Sequence, residues 1–111
     1  MRSNVKAVTV YWVVVLLSVL GFARERNPNA DILTANPIYH KNCAKCHGKN
    51  AESRLFSHAP SLVSDKTAAL SAEDLRVIIV NGKGEMPKFG GNISAVDLDA
   101  LIQQIKAANQ K

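Results

Sequence analysis

The chain has 111 residues, a formal net charge of +5, 47% apolar residues and only two cysteines. Arg2 and Lys6 inflate the charge, and without them 12 basic and 9 acidic residues remain. No basic cluster with interleaved aromatic residues is present, so the composition argues against nucleic-acid binding. A structural zinc site built from two Cys/His pairs is also excluded, because His40 and His58 show no paired spacing.

The amino terminus has the layout of an export signal. A basic start is followed by a nearly unbroken apolar run over residues 7–23, and the small residues Gly21 and Ala23 precede Arg24. This layout is typical of a cleaved signal peptide. A retained membrane anchor is the alternative, although the run is at the low end of the length that spans a bilayer. Residues 1–23 are therefore interpreted as a signal peptide or an N-terminal membrane anchor, and the rest as exported.

The exported part is predicted to contain one domain. Residues 24–35 are a polar lead-in, which we expect either to tether the domain or to pack loosely. The domain itself is assigned to residues 36–111. Asn36 and Pro37 are typical of a helix N-cap and first helical position. They predict a helix that runs into Cys46.

Cys43-Ala44-Lys45-Cys46-His47 is the attachment motif of a c-type haem. In this motif both thiols add to the haem vinyl groups, and the adjacent imidazole binds the iron. A thioredoxin-like cysteine pair would follow a strand, and none is predicted before Cys43. A simple disulfide would leave His47 unexplained. Export agrees with haem attachment, because c-type haem is inserted outside the cytoplasm.

Helices are predicted for most of the remaining chain. Residues 48–59 show no clear period and are interpreted as a haem-side loop, and residues 61–70 are expected to contain one short helix. Ser71 and Asp74 resemble a capping box, and Gly82 is the expected C-cap of the helix that they open. A strand is the alternative there, since several residues are β-branched.

The last predicted helix begins after Ser94, with Asp97 at its positive end. Its apolar residues recur at helical spacing and mark one face. These residues are Leu98, Leu101, Ile102 and Ile105.

A second candidate metal ligand is Met86, which directly precedes Pro87. The proline pushes Met86 toward an extended conformation, so Met86 lies on a loop. A loop methionine flanked by Gly82 and Gly84 can reach inward to a metal. Core filling is the weaker alternative, because the segment lacks apolar periodicity. The other methionine is the initiator.

With these motifs the chain resembles a class I mono-haem cytochrome c of the small bacterial kind, from about residue 36 to residue 106. The resemblance rests on residues 39–48, 59–62 and 82–90 and on the closing helix. It implies an all-α cytochrome c fold, with three to five short helices wrapped around one covalent haem. It also implies thioethers at Cys43 and Cys46, axial iron ligation by His47 and Met86, and a hydrogen bond from the His47 ring to the Pro60 carbonyl.

The resemblance further implies that the first and last helices cross. In this chain Ile38 or Tyr39 would then pack against Leu101 or Ile105. Ser53 departs from the family pattern, because many relatives carry glycine there. The departure leaves the path of its loop undefined.

The function implied by the resemblance is one-electron transfer through a haem c and its iron, in an exported respiratory chain, and the protein is not an enzyme. The location would be periplasmic or otherwise extracytoplasmic. One alternative is a membrane-anchored or complex-bound cytochrome c subunit. The other is a haem enzyme or gas sensor, which needs an open distal position that Met86 would fill. His58 could replace Met86 only if its loop crossed the distal face, and His40 is expected to face solvent.

Five lysines flank the two haem-ligand segments. A basic ring at the haem edge would steer an acidic redox protein, while ordinary solvated surface is the equal alternative. Membrane contact is expected only if the N-terminal segment is retained. The lysines are Lys41, Lys45, Lys49, Lys83 and Lys88.

Overall fold

The protein is described by a computed structural model, which covers Val8, residues 10–14 and residues 27–110. Most of the predicted leader and the boundary at residue 24 lie outside the described residues, so the division of the chain stays a prediction. Within the described residues, no helix has the length and apolar character needed to cross a bilayer.

Residues 27–110 fold into six helices, and no strand occurs in that range. The all-α class predicted from the sequence is confirmed. Five of the six helices lie in the predicted domain, and the first lies in the segment before it. The helices are α1 (Pro28–Ala35), α2 (Pro37–Asn42), α3 (Ala44–His47), α4 (Asp65–Ala68), α5 (Ala72–Asn81) and α6 (Ala95–Ala108).

Helix α1 corrects the expectation of a loosely packed lead-in. The Asn27 side chain accepts a hydrogen bond from the backbone of Asn29, and Pro28 occupies the first turn. The Asn27 amide also donates to the Ala108 carbonyl at 2.7 Å. Leu33 is completely buried. Loose packing, one of the two alternatives for the lead-in, therefore does not hold for residues 27–35, because one buried leucine and a capped first turn dock this helix on α6.

The helix predicted from Asn36 into Cys46 is divided in two. Asn36 caps α2 by accepting from the Ile38 backbone at 2.8 Å, as predicted. The helix then breaks at Cys43, which has φ −113° and lies between α2 and α3. The Cys46 backbone N–H donates to the Cys43 carbonyl three residues back, at 3.2 Å. The break leaves α3 as a single turn that carries the end of the cysteine motif.

Helix α6 packs mainly against α1, and also against α5 and α2. Tyr39 of α2 is completely buried in the same apolar cluster as Leu101 and Ile105. Helix α2 thus packs on α6 as predicted, but helix α1 supplies the larger part of the contact with α6. The Asn36 amide adds a hydrogen bond to Gln104 Oε1 at 2.8 Å.

The later helices agree closely with those predicted from the sequence. Ser71 and Asp74 form the predicted capping box, and Gly82 ends α5, which is a helix and not a strand. Hydrogen bonds from Ser71 hold the pKa of the Asp74 carboxyl below its usual value. Ser94 caps α6. The four apolar residues predicted for one face of α6 are all buried.

The buried position of Leu33 yields a prediction. Leu33→Ala should lower the free energy of unfolding by about 2–5 kcal/mol, because it removes buried apolar volume between α1 and α6. Denaturant titration of the holoprotein measures this change. Ile32→Ala is the matched control on the same helix, since Ile32 is 57% exposed. The control should change stability by no more than about 0.5 kcal/mol. Equal effects would mean that α1 is not held by Leu33.

Candidate functional site

The two cysteine thiols lie on the same turn of the backbone. Cys43 is half-buried between α2 and α3, Cys46 is exposed on α3, and no disulfide joins them. Burial, and secondarily the charge of Cys46, raises the pKa of the Cys43 thiol to about 11. Because neither sulfur is in a disulfide, both are available for attachment to a group that lies against this turn.

His47 follows Cys46 directly and is 8% exposed. Its Nδ1 lies 2.8 Å from the Pro60 carbonyl oxygen. Because a carbonyl only accepts, Nδ1 must carry the proton, and Nε2 then keeps the lone pair that binds a metal. The contact fixes the orientation of the ring and leaves Nε2 as the nitrogen directed away from Pro60, which is the arrangement typical of a ligating histidine.

The loop that brings Pro60 to His47 contains left-handed residues. Gly48 has φ +83° and Ser53 has φ +80°. The Ser53 N–H donates to the His47 carbonyl at 2.9 Å, and its hydroxyl donates to the Ala59 carbonyl at 2.7 Å. A Cβ on Gly48 would lie 2.9 Å from the Ser53 carbonyl oxygen. Ser53 thus adopts a backbone conformation that glycine adopts more readily than serine.

The buried side chain of Tyr39 holds the start of this loop through a hydrogen bond. Its hydroxyl donates to the Gly48 carbonyl at 2.5 Å. Burial raises the pKa of Tyr39 to about 12, so the hydroxyl keeps its proton. For Tyr39 the sequence predicts only a contact between helices. No sequence pattern signals a bond from its hydroxyl to a carbonyl beyond the cysteine motif.

Met86 lies on the predicted loop, which is a tight turn. Lys83 and Met86 exchange backbone hydrogen bonds of 3.2 and 3.0 Å. Gly82 and Gly84 have φ +74° and +58°. Met86 is half-buried and packs against the core cluster. After the turn, the Phe89 N–H donates to the Ile79 carbonyl at 3.0 Å and ties the loop to α5.

A side-chain contact joins the two loops. His58 Nδ1 lies 3.1 Å from Glu85 Oε2. The two side chains are 86% and 82% exposed, so His58 is a surface residue held beside the Met86 loop. His40 is also exposed, as predicted. The His58–Glu85 contact joins residues 27 positions apart, and nothing in the sequence signals it.

These donors fit a haem better than a bare metal ion. Among the described residues, no group of three or more His, Cys, Asp and Glu side chains could hold a metal. The chain instead offers two free thiols, one buried imidazole and one loop thioether. A haem supplies four equatorial nitrogen ligands itself, so it needs only this donor set.

Comparison with known proteins identifies the family. The family model described as "Cytochrome C oxidase, cbb3-type, subunit III" matches residues 30–105. Cytochrome c6 of Microcystis aeruginosa is 32% identical over 79 residues, which cover 67% of this chain and 93% of that protein. The chain belongs to the class I mono-haem c-type cytochromes.

Two further relatives are also cytochromes c6. That of Bumilleriopsis filiformis is 33% identical over 87 residues, covering 74% of this chain and 96% of its own length. That of Pyropia yezoensis is 28% identical over 117 residues, covering 96% of both chains. No solved structure matches the chain.

Family membership sets the chemistry of this c-type cytochrome. It carries covalently bound haem c with its iron, and Cys43, Cys46 and His47 fit that attachment. It is an electron carrier and not an enzyme. A haem held by these residues would supply one-electron redox chemistry, with which the protein carries electrons between redox partners.

The Met86 turn yields a prediction. Gly82→Ala should destabilise the holoprotein by more than about 1 kcal/mol, because alanine is strained at positive φ. A Cβ on Gly82 would also lie 2.5 Å from the Met86 carbonyl oxygen. Denaturant titration measures the loss. Gly91→Ala is the control, since a Cβ on Gly91 meets nothing within 4 Å. A Gly82 variant as stable as the control would mean that the turn relaxes without cost.

Proposed function

We propose that this cytochrome holds its haem through thioethers at Cys43 and Cys46 and binds the iron axially with His47 and Met86. The observation that carries the proposal is the 2.8 Å contact between His47 Nδ1 and the Pro60 carbonyl oxygen. It leaves Nε2 as the free nitrogen of a buried ring. Pro60 then acts as the acceptor that orients the proximal ligand.

Methionine as the sixth ligand suits an electron carrier. A haem enzyme or gas sensor needs an open or easily vacated distal position, whereas a thioether fills it and raises the reduction potential. The turn that carries Met86 is anchored at both ends. Gly82 ends α5, and the Phe89 N–H returns to the same helix at Ile79. This anchoring supports a ligand that stays in place in both oxidation states.

We also propose that the protein acts outside the cytoplasm, in a respiratory chain and with a periplasmic location. The apolar run over residues 7–23 and the requirement for haem attachment after export support this location. A membrane-anchored or complex-bound subunit is the second candidate, favoured by the matching family's description as an oxidase subunit. The mass of the mature protein separates the two, since a cleaved leader removes residues 1–23.

The lysines flanking the two haem-ligand segments are proposed to steer an acidic redox protein. All five are exposed. Their positive charges would sum around the haem edge, attract a negatively charged docking face and raise the encounter rate.

The distal ligand is tested by Met86→Ala. The haem should stay attached, while the ferric iron should gain rapid cyanide binding and the reduction potential should fall, because the thioether is lost. The weak long-wavelength absorption band that reports an iron–thioether bond should be present in the parent and absent in the variant. His58→Ala is the control and should leave band and potential unchanged. If Met86→Ala has the same absorption band and the same reduction potential as the parent, Met86 is not the ligand.

The steering lysines are tested by ionic strength. The bimolecular electron-transfer rate with an anionic redox protein should fall steeply as salt rises, because screening shortens the field from about 30 Å at 0.01 M to about 8 Å at 0.15 M. A variant with Lys83→Glu and Lys88→Glu should flatten or reverse this dependence without changing the haem spectrum.

The control for charge reversal is Lys66→Glu, which is compared with Lys88→Glu. Lys66 lies on α4, outside both haem-ligand segments. The Lys66 variant should keep the salt dependence of the parent. Equal slopes for the parent and the double variant would mean that these lysines are ordinary surface charge.

A further inference from the structure

An apolar turn protrudes from the loop between His47 and Pro60. Leu55 and Phe56 are 80% and 95% exposed, which makes them the two most exposed large apolar residues of the described chain. They occupy the central positions of a turn closed by a hydrogen bond from the Ser57 N–H to the Arg54 carbonyl, at 2.9 Å. We call residues 54–57 the Leu–Phe turn.

The backbone of the Leu–Phe turn is unfavourable for the residue it carries. Phe56 has φ +64°, a left-handed conformation that glycine or asparagine adopts readily and bulky residues rarely do. Within the described residues, little packing compensates for this strain, because almost none of the Phe56 side chain is buried. Neither burial nor backbone preference therefore explains an aromatic residue here. A contact made outside the chain would.

The turn is nevertheless held firmly. The Arg54 guanidinium donates to the Lys45 carbonyl at 3.2 Å, and the Ala59 N–H donates to the Ser57 hydroxyl at 3.1 Å. The first bond ties the turn to the helix that carries the cysteine motif. The His58–Glu85 contact ties the adjoining residues to the Met86 loop. A surface held in this way loses little conformational entropy when a partner binds.

Positive charge surrounds the turn. Arg54 belongs to it, Lys45 contacts it through its backbone carbonyl and has an exposed side chain, and Lys49 lies on the same loop. Glu52 is an acidic residue of that loop, and Glu85 is paired with His58. The three cations outnumber the two acids, so an occupant of complementary charge is acidic.

We propose that Leu55 and Phe56 are the apolar anchor of the docking surface for an acidic redox protein. The two side chains enter an apolar pocket of the partner, and its acidic rim faces Arg54 and Lys45. A lipid surface also offers apolar depth and negative charge, but it accepts no electron. The contacts to the cysteine motif and the Met86 loop place the turn beside both haem-ligand segments, where a redox partner must dock. The proposal rests on the carrier function and not on the identity of the distal ligand.

The test uses Phe56→Asn and Leu55→Ser in the holoprotein. Asparagine suits positive φ, so the first variant should be at least as stable as the parent. Washed membranes of the cells that make the protein oxidise the reduced cytochrome, and the rate is measured against its concentration. The half-saturating concentration should rise about tenfold for Phe56→Asn, the effect typical of a lost aromatic anchor. The maximal rate and the rate of oxidation by hexacyanoferrate should not change.

Val96→Asn is the control, because Val96 is 78% exposed on α6, and it should keep the half-saturating concentration of the parent. The proposal is overturned if Phe56→Asn also keeps the half-saturating concentration of the parent. A changed haem spectrum, potential or hexacyanoferrate rate would assign Phe56 to the haem contact and overturn it as well. Binding of the parent, but not the variants, to vesicles of the extracted lipids would assign the turn to a lipid surface. Failure of the membranes to oxidise the parent would refute the carrier role there, along with the docking surface.

Discussion

The hydrogen bond between the His47 ring and the Pro60 carbonyl connects the helical turn of the cysteine motif to the far end of the following loop. It sets the ring's tautomer, and it requires the loop to return to α3 within thirteen residues. The left-handed residues Gly48 and Ser53 make that return possible. The Leu62 N–H bond to the Ala51 carbonyl, at 2.8 Å, then holds the loop closed beyond Pro60. Orientation of the imidazole is thus a property of the whole loop.

Helix α6 holds the short elements around this loop. Helices α2, α3 and α4 have only four to six residues each, and helices of that length are unstable alone. Polar side chains of α6 and its C-cap form hydrogen bonds with backbone groups of the neighbouring segments. Lys106 donates to the Leu70 carbonyl just after α4 at 2.6 Å, and the C-cap Asn109 accepts from the Ser64 N–H at 3.0 Å. These bonds supplement a small apolar core, which a covalently attached haem would enlarge.

The sequence predicted the elements whose signals are local. The capping box of α5, the cap of α6 and the loop conformation of Met86 each depend on residues within a few positions of one another. Helix α1 was missed although Asn27 and Pro28 repeat the Asn36–Pro37 pattern, because a single buried leucine gives little periodicity. The loop path was not predictable either. Non-glycine residues at positive φ have no sequence signature, and bonds such as His58–Glu85 depend on the tertiary fold.

The one-turn helix α3 reconciles two requirements of an electron carrier. Successive residues of a helix project about 100° apart, so neighbours can face solvent and interior. Cys46 is exposed, while His47 is buried. A haem attached through Cys46 and ligated by His47 would have its attachment point near the surface and its proximal ligand inside the fold. Electrons could then pass through an exposed edge while water is kept from the ligand. The Leu–Phe turn is bonded to Lys45, the residue before Cys46, so a partner held by that turn meets the protein beside this edge.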